Sequence, residues 1–146
     1  MPSASFSVEI ARPRDEVFAY VADLRNTPHW MSFVDDVELV GGTPGEVGAR
    51  YLVTNERGIL DDVVVDYATV EVDPGASVRF AVEHPKLAGH DTYTVQGAGD
   101  GRTRVTYASE FSYKGVNKLS TPIGALAIKA GTLGLDGHLR EVLEQG

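Results

Sequence analysis

Between Val34 and Tyr113 the chain is cut by five clusters of turn residues: Gly41-Gly42-Thr43-Pro44-Gly45, Asn55-Glu56-Arg57-Gly58, Asp73-Pro74-Gly75, Pro85 to Gly89, and Gly97 to Gly101. Glycine supplies backbone angles that other residues avoid, and proline lacks the amide donor that a ladder needs, so each cluster ends the element before it. Six extended segments follow, placed at 34–40, 48–55, 59–72, 77–84, 89–97 and 102–113. Connections this short join antiparallel neighbours, because a parallel crossover takes about a dozen residues or more. A further strand stands before them, where Phe6, Val8 and Ile10 alternate with polar residues.

Helical signals lie at the two ends of this meander. Pro13, acidic Asp15 and Glu16, and an apolar stripe of Val17, Phe18, Val21 and Leu24 make a short amphipathic helix. Asn26 to Met31 reads as a second short helix or turn that carries Trp30, the only tryptophan, toward the core. Ser120-Thr121-Pro122 then opens one long helical pattern running to about Glu144. At about 100° per residue, Lys129, Asp136 and Arg140 share an outer face. Gly124, Ala127, Ile128, Gly131, Gly134, Leu135, His138, Leu139 and Val142 fall opposite. Helical glycine costs about 1 kcal/mol relative to alanine. Gly124, Gly131, Gly134 and Gly137 therefore need a compensating role: room for a ligand, close contact with a sheet, or a bend. An antiparallel meander with helices at its ends is an α+β domain, and residues 1–146 are enough for one domain with its own core.

Charge and composition exclude several classes of function. Thirteen Lys and Arg against 21 Asp and Glu give a net charge of -8, which opposes the electrostatic attraction behind nucleic-acid binding. With no cysteine there is neither a disulfide framework nor a thiolate nucleophile, as suits a reducing cytoplasm. The expectation is no signal peptide, no stable membrane insertion and a cytoplasmic protein. Gly97-Ala98-Gly99-Asp100-Gly101 joins two strands rather than opening a helix, so it is a turn and not a dinucleotide fingerprint. His84 and His90 flank a short hairpin beside Asp91, but a metal needs three or four converging ligands, and no metal or cofactor is expected.

Strand alternation sorts side chains by face. The apolar face of the last strand carries Val105, Tyr107, Ser109, Phe111 and Tyr113. The strand before it contributes Asp91, Tyr93 and Val95, the next Val78, Phe80, Val82 and His84, and an earlier one Tyr51 and Val53. An apolar wall with a few hydroxyls and one carboxylate has the form of a small-molecule site. The faces of the strand through Asp61-Asp62-Val63-Val64-Val65-Asp66-Tyr67 stay open, because one bulge would exchange them. Asp91, facing inward, would have its pKa raised by desolvation and becomes a candidate general base; the other reading pairs it with Arg79 or Arg104 near a strand end. Tyr51, Tyr93 and Tyr107 are either hydrogen-bonding groups for a carbonyl-rich ligand or amphipathic core residues. His138 is either a proton shuttle or a histidine on the rim of the core.

Four segments carry a resemblance to a known superfamily: Ala11-Arg12-Pro13-Arg14-Asp15-Glu16-Val17-Phe18-Ala19-Tyr20-Val21-Ala22-Asp23; Pro28-His29-Trp30; Gly101-Arg102-Thr103-Arg104-Val105-Thr106-Tyr107; and Leu135-Asp136-Gly137-His138-Leu139-Arg140-Glu141-Val142-Leu143-Glu144. Together with the element order, they make the chain similar to the SRPBCC (START-like, Bet-v-like) superfamily, in its polyketide cyclase/dehydrase branch. The resemblance implies a helix-grip fold. In it a strongly curved seven-stranded antiparallel sheet wraps a long C-terminal helix, two short helices lie between strands 1 and 2, and an elongated apolar cavity is enclosed. Members bind lipids, sterols, hormones, quinones or polyketides, and some cyclise or dehydrate them through inward arginine, tyrosine, serine and tryptophan. Trp30 matches the tryptophan after the first helix. The strand from Ile59 departs from the pattern, offering Asp61, Asp62, Asp66 and Tyr67 where such cyclases present an arginine.

These readings give three functional expectations. The first is binding of a hydrophobic or aromatic small molecule by Trp30, Tyr51, Phe80, Ser109, Phe111, Gly131, Leu135 and His138. The second is a cyclase or dehydratase using Asp91, Tyr93 and Tyr107 as acid/base groups. The third is an interaction module that forms a homodimer. Bending at the glycine-rich helix start and at Lys114-Gly115-Val116-Asn117 would gate a cavity.

Overall fold

The computed structural model describes residues 3–31, 34–55, 63–85, 87–113 and 135–145. Strand β1 (Ser3–Ile10) leads into helix α1 (Arg14–Ala22) and a 3-10 segment (Leu24–His29). Strands β2 (Val34–Gly41), β3 (Arg50–Asn55), β4 (Val63–Asp73), β5 (Ser77–His84), β6 (Leu87–Gly99) and β7 (Arg102–Tyr113) follow, and helix α2 (Leu135–Gln145) comes last. All seven strands form one antiparallel sheet in the order β1-β7-β6-β5-β4-β3-β2. The meander expected from the turn clusters is therefore present, and β1 closes its far side against β7. This is the helix-grip architecture.

Strand boundaries shift where turn chemistry is tighter than the sequence suggests. Gly89, expected in the fourth turn, lies inside β6, because His84 pairs with Leu87 and closes the hairpin earlier. The reason for a glycine there is steric. A Cβ on Gly89 would stand 2.0 Å from the Glu110 carbonyl oxygen, so the β6 and β7 backbones approach as no larger residue permits. At the other end of the same hairpin Gly99, Asp100 and Gly101 all take positive φ, which confirms a turn.

The ambiguity in β4 is settled by a register shift between Thr69 and Glu71. Before the shift Val65 and Thr69 are buried and Tyr67 is partly buried, while Val64, Asp66 and Val70 are exposed; after it Val72 turns to the core. The core lies between the concave face and the helices. It joins Ile10, Val17, Val21, Trp30, Tyr51, Val78, Phe80, Tyr93, Val95, Val105 and Tyr107 to Leu135, Leu139 and Leu143 of α2.

Helix α2 presents a seam different from the one expected. Leu135, Leu139 and Leu143 form its buried row, with Val142 partly buried beside them. His138 sits about 100° around the helix from Leu139 and is exposed, which corrects its expected inward position. Leu143 rotates the buried face away from the histidine. The expected helix start at Ser120, Gly131 and the proposed gate at Lys114 to Asn117 lie outside the described residues.

The end of α2 is tied to the start of the chain. Arg12 donates from Nε to the Leu143 carbonyl at 2.8 Å and from Nη2 to the Glu144 carbonyl at 3.0 Å, and the Ala11 amide donates to Glu144 Oε2 at 2.8 Å. A guanidinium here satisfies carbonyls that the helix leaves unpaired and meets the negative end of its dipole.

Candidate functional site

The concave face is built in rows, each crossing several strands. One row runs through Ser109, Asp91, Phe80 and Thr69, which are successive cross-strand partners from β7 to β4. The neighbouring row runs through Phe6, Tyr107, Tyr93 and Val78. Since side chains on one face of paired strands stand within contact distance, the register alone brings the carboxylate, the serine and the tyrosines together.

Six aromatic rings link these rows. Tyr93 lies 5.0 Å from Tyr107 and 6.0 Å from Phe80 between ring centres, and edge-on to Trp30 at 6.3 Å. Trp30 meets Phe6 at 6.2 Å, Phe6 meets Tyr107 at 5.2 Å, and Phe80 meets Tyr51 at 6.4 Å. Edge-to-face contacts of this kind fix ring orientation as well as burying area. Trp30 thus reaches the core from the 3-10 segment, as expected, and ties that segment to the sheet.

Asp91 is 4% exposed. Burial pushes its pKa up to about 6, while the hydroxyls of Ser109, Tyr107 and Tyr67 favour the carboxylate and offset only part of the rise. Among the described residues its Oδ1 has no partner of hydrogen-bond geometry, and neither has Ser109 Oγ. The hydroxyls stand near the carboxyl without completing its shell. Tyr51 OH and Thr69 Oγ1, on the same face, are also buried and unpartnered. Such atoms are uncommon in finished cores, because each costs about 1–3 kcal/mol when left unsatisfied.

The ion pairs that would have explained Asp91 structurally lie elsewhere. Arg104 donates to Glu9 at 3.0 Å and Arg79 lies 3.9 Å from Glu71. Both arginines are one position out of phase with the inward residues, so alternation sends them to the convex face.

Tyr67, Tyr93 and Tyr107 share one electrostatic environment. Burial, then the negative charge of Asp91, pushes the Tyr93 and Tyr107 hydroxyls well above the usual phenol range. Tyr51 is pushed up to about 12 by burial and then by the charge of Asp23. Tyr67 behaves like Tyr93 and Tyr107, and its hydroxyl also interacts with the Asp91 carboxyl although the residue as a whole is only partly buried. Tyr67 was not among the site residues expected from sequence. The signal for it was the pairing of Tyr51 with Tyr67, legible only once the β4 bulge fixes the face.

Of the other expected residues, Trp30, Tyr51, Phe80, Ser109 and Leu135 are buried in this region. Phe111 is partly buried and packs with Val65, Val82 and Leu87 in a separate cluster. His138 instead lines an open outer groove of about 330 Å³ with Pro28, His29, Trp30, Glu141 and Val142. Among the described residues no three His, Asp or Glu side chains converge as metal ligands, and no helix is long and apolar enough to cross a membrane.

Comparison with known proteins bears on this geometry. The family described as polyketide cyclase / dehydrase and lipid transport matches residues 1–144. No curated protein matches the chain. Among solved structures, a START superfamily protein from Mycobacterium smegmatis superposes with a TM-score of 0.80 at 14% identity, covering 98% of this chain and 97% of that one. The aromatase/cyclase Zhui from Streptomyces sp. R1128 gives 0.74 at 12% identity, with 98% and 93% covered. The di-domain aromatase/cyclase BexL of the BE-7585A biosynthetic pathway gives 0.75 at 18% identity; 99% of this chain is covered but only 47% of BexL, so the chain spans about half of it.

Proposed function

Because the chain belongs to the polyketide cyclase/dehydrase and lipid transport family, we propose that it binds a hydrophobic or aromatic small molecule, lipid- or polyketide-like, between the concave sheet and the C-terminal helix. The observation that carries this reading is the set of four buried oxygens without a hydrogen-bond partner among the described residues, Tyr51 OH, Thr69 Oγ1, Asp91 Oδ1 and Ser109 Oγ, on a face otherwise made of rings and aliphatic side chains. A ligand with a few oxygens on an apolar frame satisfies both parts of that surface. The described part of α2 is anchored by its C-terminal end at Ala11 and Arg12, whereas Asp91 stands level with Ala4 toward the opposite end of β1.

Native mass spectrometry of protein purified from its own host, followed by denaturing extraction, tests this. The expected result is a defined apolar molecule at near-unit stoichiometry. Protein that carries nothing and takes up no hydrophobic dye would remove the reading.

One observation favours a second, catalytic reading. Asp91 is a carboxylate poised near neutrality among phenols, which suits a general base. It would remove a proton from carbon beside a ligand carbonyl, with Tyr93 or Tyr107 donating a hydrogen bond to the enolate oxygen. Attack of that carbanion on a second carbonyl forms the ring bond, the resulting alkoxide takes up the proton, and loss of water completes a cyclising dehydration. Deuterium uptake at the acidic carbon of a bound 1,3-diketone reports the first step. Asp91→Asn should slow it by about a hundredfold or more, and an unchanged rate would exclude Asp91 as the base.

A further inference from the structure

Resting on the reading that the concave face takes a ring-bearing ligand, we infer that this ligand turns a neutral hydroxyl, phenolic or enolic, toward Asp91, and that the site discriminates against carboxylates and other anions.

An ionised carboxylate accepts hydrogen bonds and donates none, so Asp91 Oδ1 asks for a donor. Ser109 Oγ, Thr69 Oγ1 and Tyr51 OH can each donate, so the carbonyl oxygens of a ligand find partners among them. The donor requirement is the selective one, because hydroxyl side chains adapt by rotation and a carboxylate does not.

The arginines of the strands lie on the far side of the sheet. Arg79 and Arg104 pair with Glu71 and Glu9, Arg102 also approaches Glu9 at 3.8 Å, and Arg25 is engaged by Asp23 at 2.8 Å. Arg12 is held at the end of α2, and Arg14, Arg50 and Arg140 are exposed. Among the described residues no strand of the sheet sends a lysine or arginine to the Asp91 face. An anionic ligand head there would meet a buried like charge in a low-dielectric setting without a counter-ion, where repulsion is far stronger than in water. Inward residues of β4 reinforce this: Val65, Tyr67 and Thr69 bring a phenol and a hydroxyl, and Asp66 points away. The neighbours of the carboxyl on β6 and β7 are Tyr93, Tyr107 and Ser109, and on β5 the facing residue is Phe80, so no partner of opposite charge comes from any adjacent strand.

Three matched probes separate the possibilities: 2-naphthol, 2-methoxynaphthalene and 2-naphthoate, titrated calorimetrically at pH 7.5 into the wild-type chain and Asp91→Asn. They share one frame and differ in being a donor, a capped acceptor or an anion. We expect 2-naphthol to bind at least about tenfold more tightly than its methyl ether, since the ether leaves the buried acceptor unpaired. We expect 2-naphthoate to bind about a hundredfold more weakly than 2-naphthol, and Asp91→Asn to narrow that gap. Equal binding of the three by the wild-type chain overturns this inference and leaves the pocket standing. Binding of none, with no uptake of hydrophobic dye, overturns both. The wild-type comparison decides the matter even if the variant fails to fold.

Discussion

Asp91 on β6 stands directly opposite Ser109 on β7, both are buried, and each keeps a side-chain oxygen without a hydrogen-bond partner among the described residues. The pairing follows from register, and the incompleteness follows from alternation. Two arginines of the neighbouring strands, Arg79 and Arg104, occupy positions whose side chains leave through the other face. A purely structural carboxylate in this sheet would have been placed one residue away, where those cations are. Its position among phenols ties it to whatever fills the concave side.

The raised pKa of Asp91 gives a signed dependence of stability on pH. The native protein holds the Asp91 proton up to about pH 6, whereas the unfolded chain releases it near pH 4. Between those values the folded state binds more protons, so this group lowers stability as pH rises and contributes no further slope above. The size of the effect is on the order of 3 kcal/mol. In Asp91→Asn the slope disappears, so the melting temperature of the variant should gain on the wild type by roughly 5–10 °C between pH 4 and 6.5. Parallel melting curves across that range would show an ordinary, hydrated carboxyl.

Phenol ionisation offers an independent view of the same cluster. Five of the six tyrosines, Tyr20, Tyr51, Tyr67, Tyr93 and Tyr107, have their ionisation displaced upward, in each case chiefly by burial. Absorbance at about 295 nm should therefore show little tyrosinate at pH 10 in the folded protein and a sharp rise on unfolding. Reversible titration of three or more phenols around pH 10 would contradict the buried arrangement.

Much of this was legible because strand and turn signals are local. Turn clusters at Gly41–Gly45, Asp73–Gly75 and Gly97–Gly101 delimit strands found where expected, and alternation correctly placed Tyr51, Phe80, Asp91, Tyr93, Tyr107 and Ser109 on one face. The resemblance supplied the seven-stranded sheet and its wrapping of the helix, whereas the pairing of β1 with β7 is visible only in the structure. What escaped depends on non-local packing. The Thr69–Glu71 bulge decides the face of Tyr67, and nothing in the sequence of β4 marks it. His138 was misplaced because a helix pattern beginning far upstream biased the apolar centre, while the row Leu135, Leu139 and Leu143 actually meets the core. Gly89 looked like turn punctuation, although it serves the close approach of two strands.

That close approach makes Gly89 and Gly97 a matched test within one strand. A methyl at Gly89 meets backbone at 2.0 Å, which no rotamer change relieves, whereas a methyl at Gly97 meets nothing within 4 Å. Gly89→Ala should cost at least about 3 kcal/mol in urea unfolding or prevent folding. Gly97→Ala should stay within about 0.5 kcal/mol of wild type. Equal effects would mean that the β6–β7 backbones are not pressed together at Gly89.

Arg12 connects three elements, and its removal should be felt unequally. Its guanidinium holds the carbonyls of Leu143 and Glu144, while its own carbonyl accepts from Thr103 Oγ1 at 2.7 Å, on a residue with no exposed surface. Arg12→Ala removes the helix contacts but leaves the Thr103 bond, because that bond is to the main chain. The cost should be about 1–3 kcal/mol. Arg12→Lys should recover less than half, since an ammonium cannot reproduce a fork spanning two carbonyls. Hydrogen exchange locates the loss: amides of Leu139 to Glu144 should exchange faster by more than the global destabilisation accounts for, while those of β5 and β6 track the global change alone. Uniform acceleration across the chain would show that Arg12 supports the fold as a whole. Confined acceleration would mark the end of α2 as a unit that can loosen from the sheet independently, with the guanidinium as its latch.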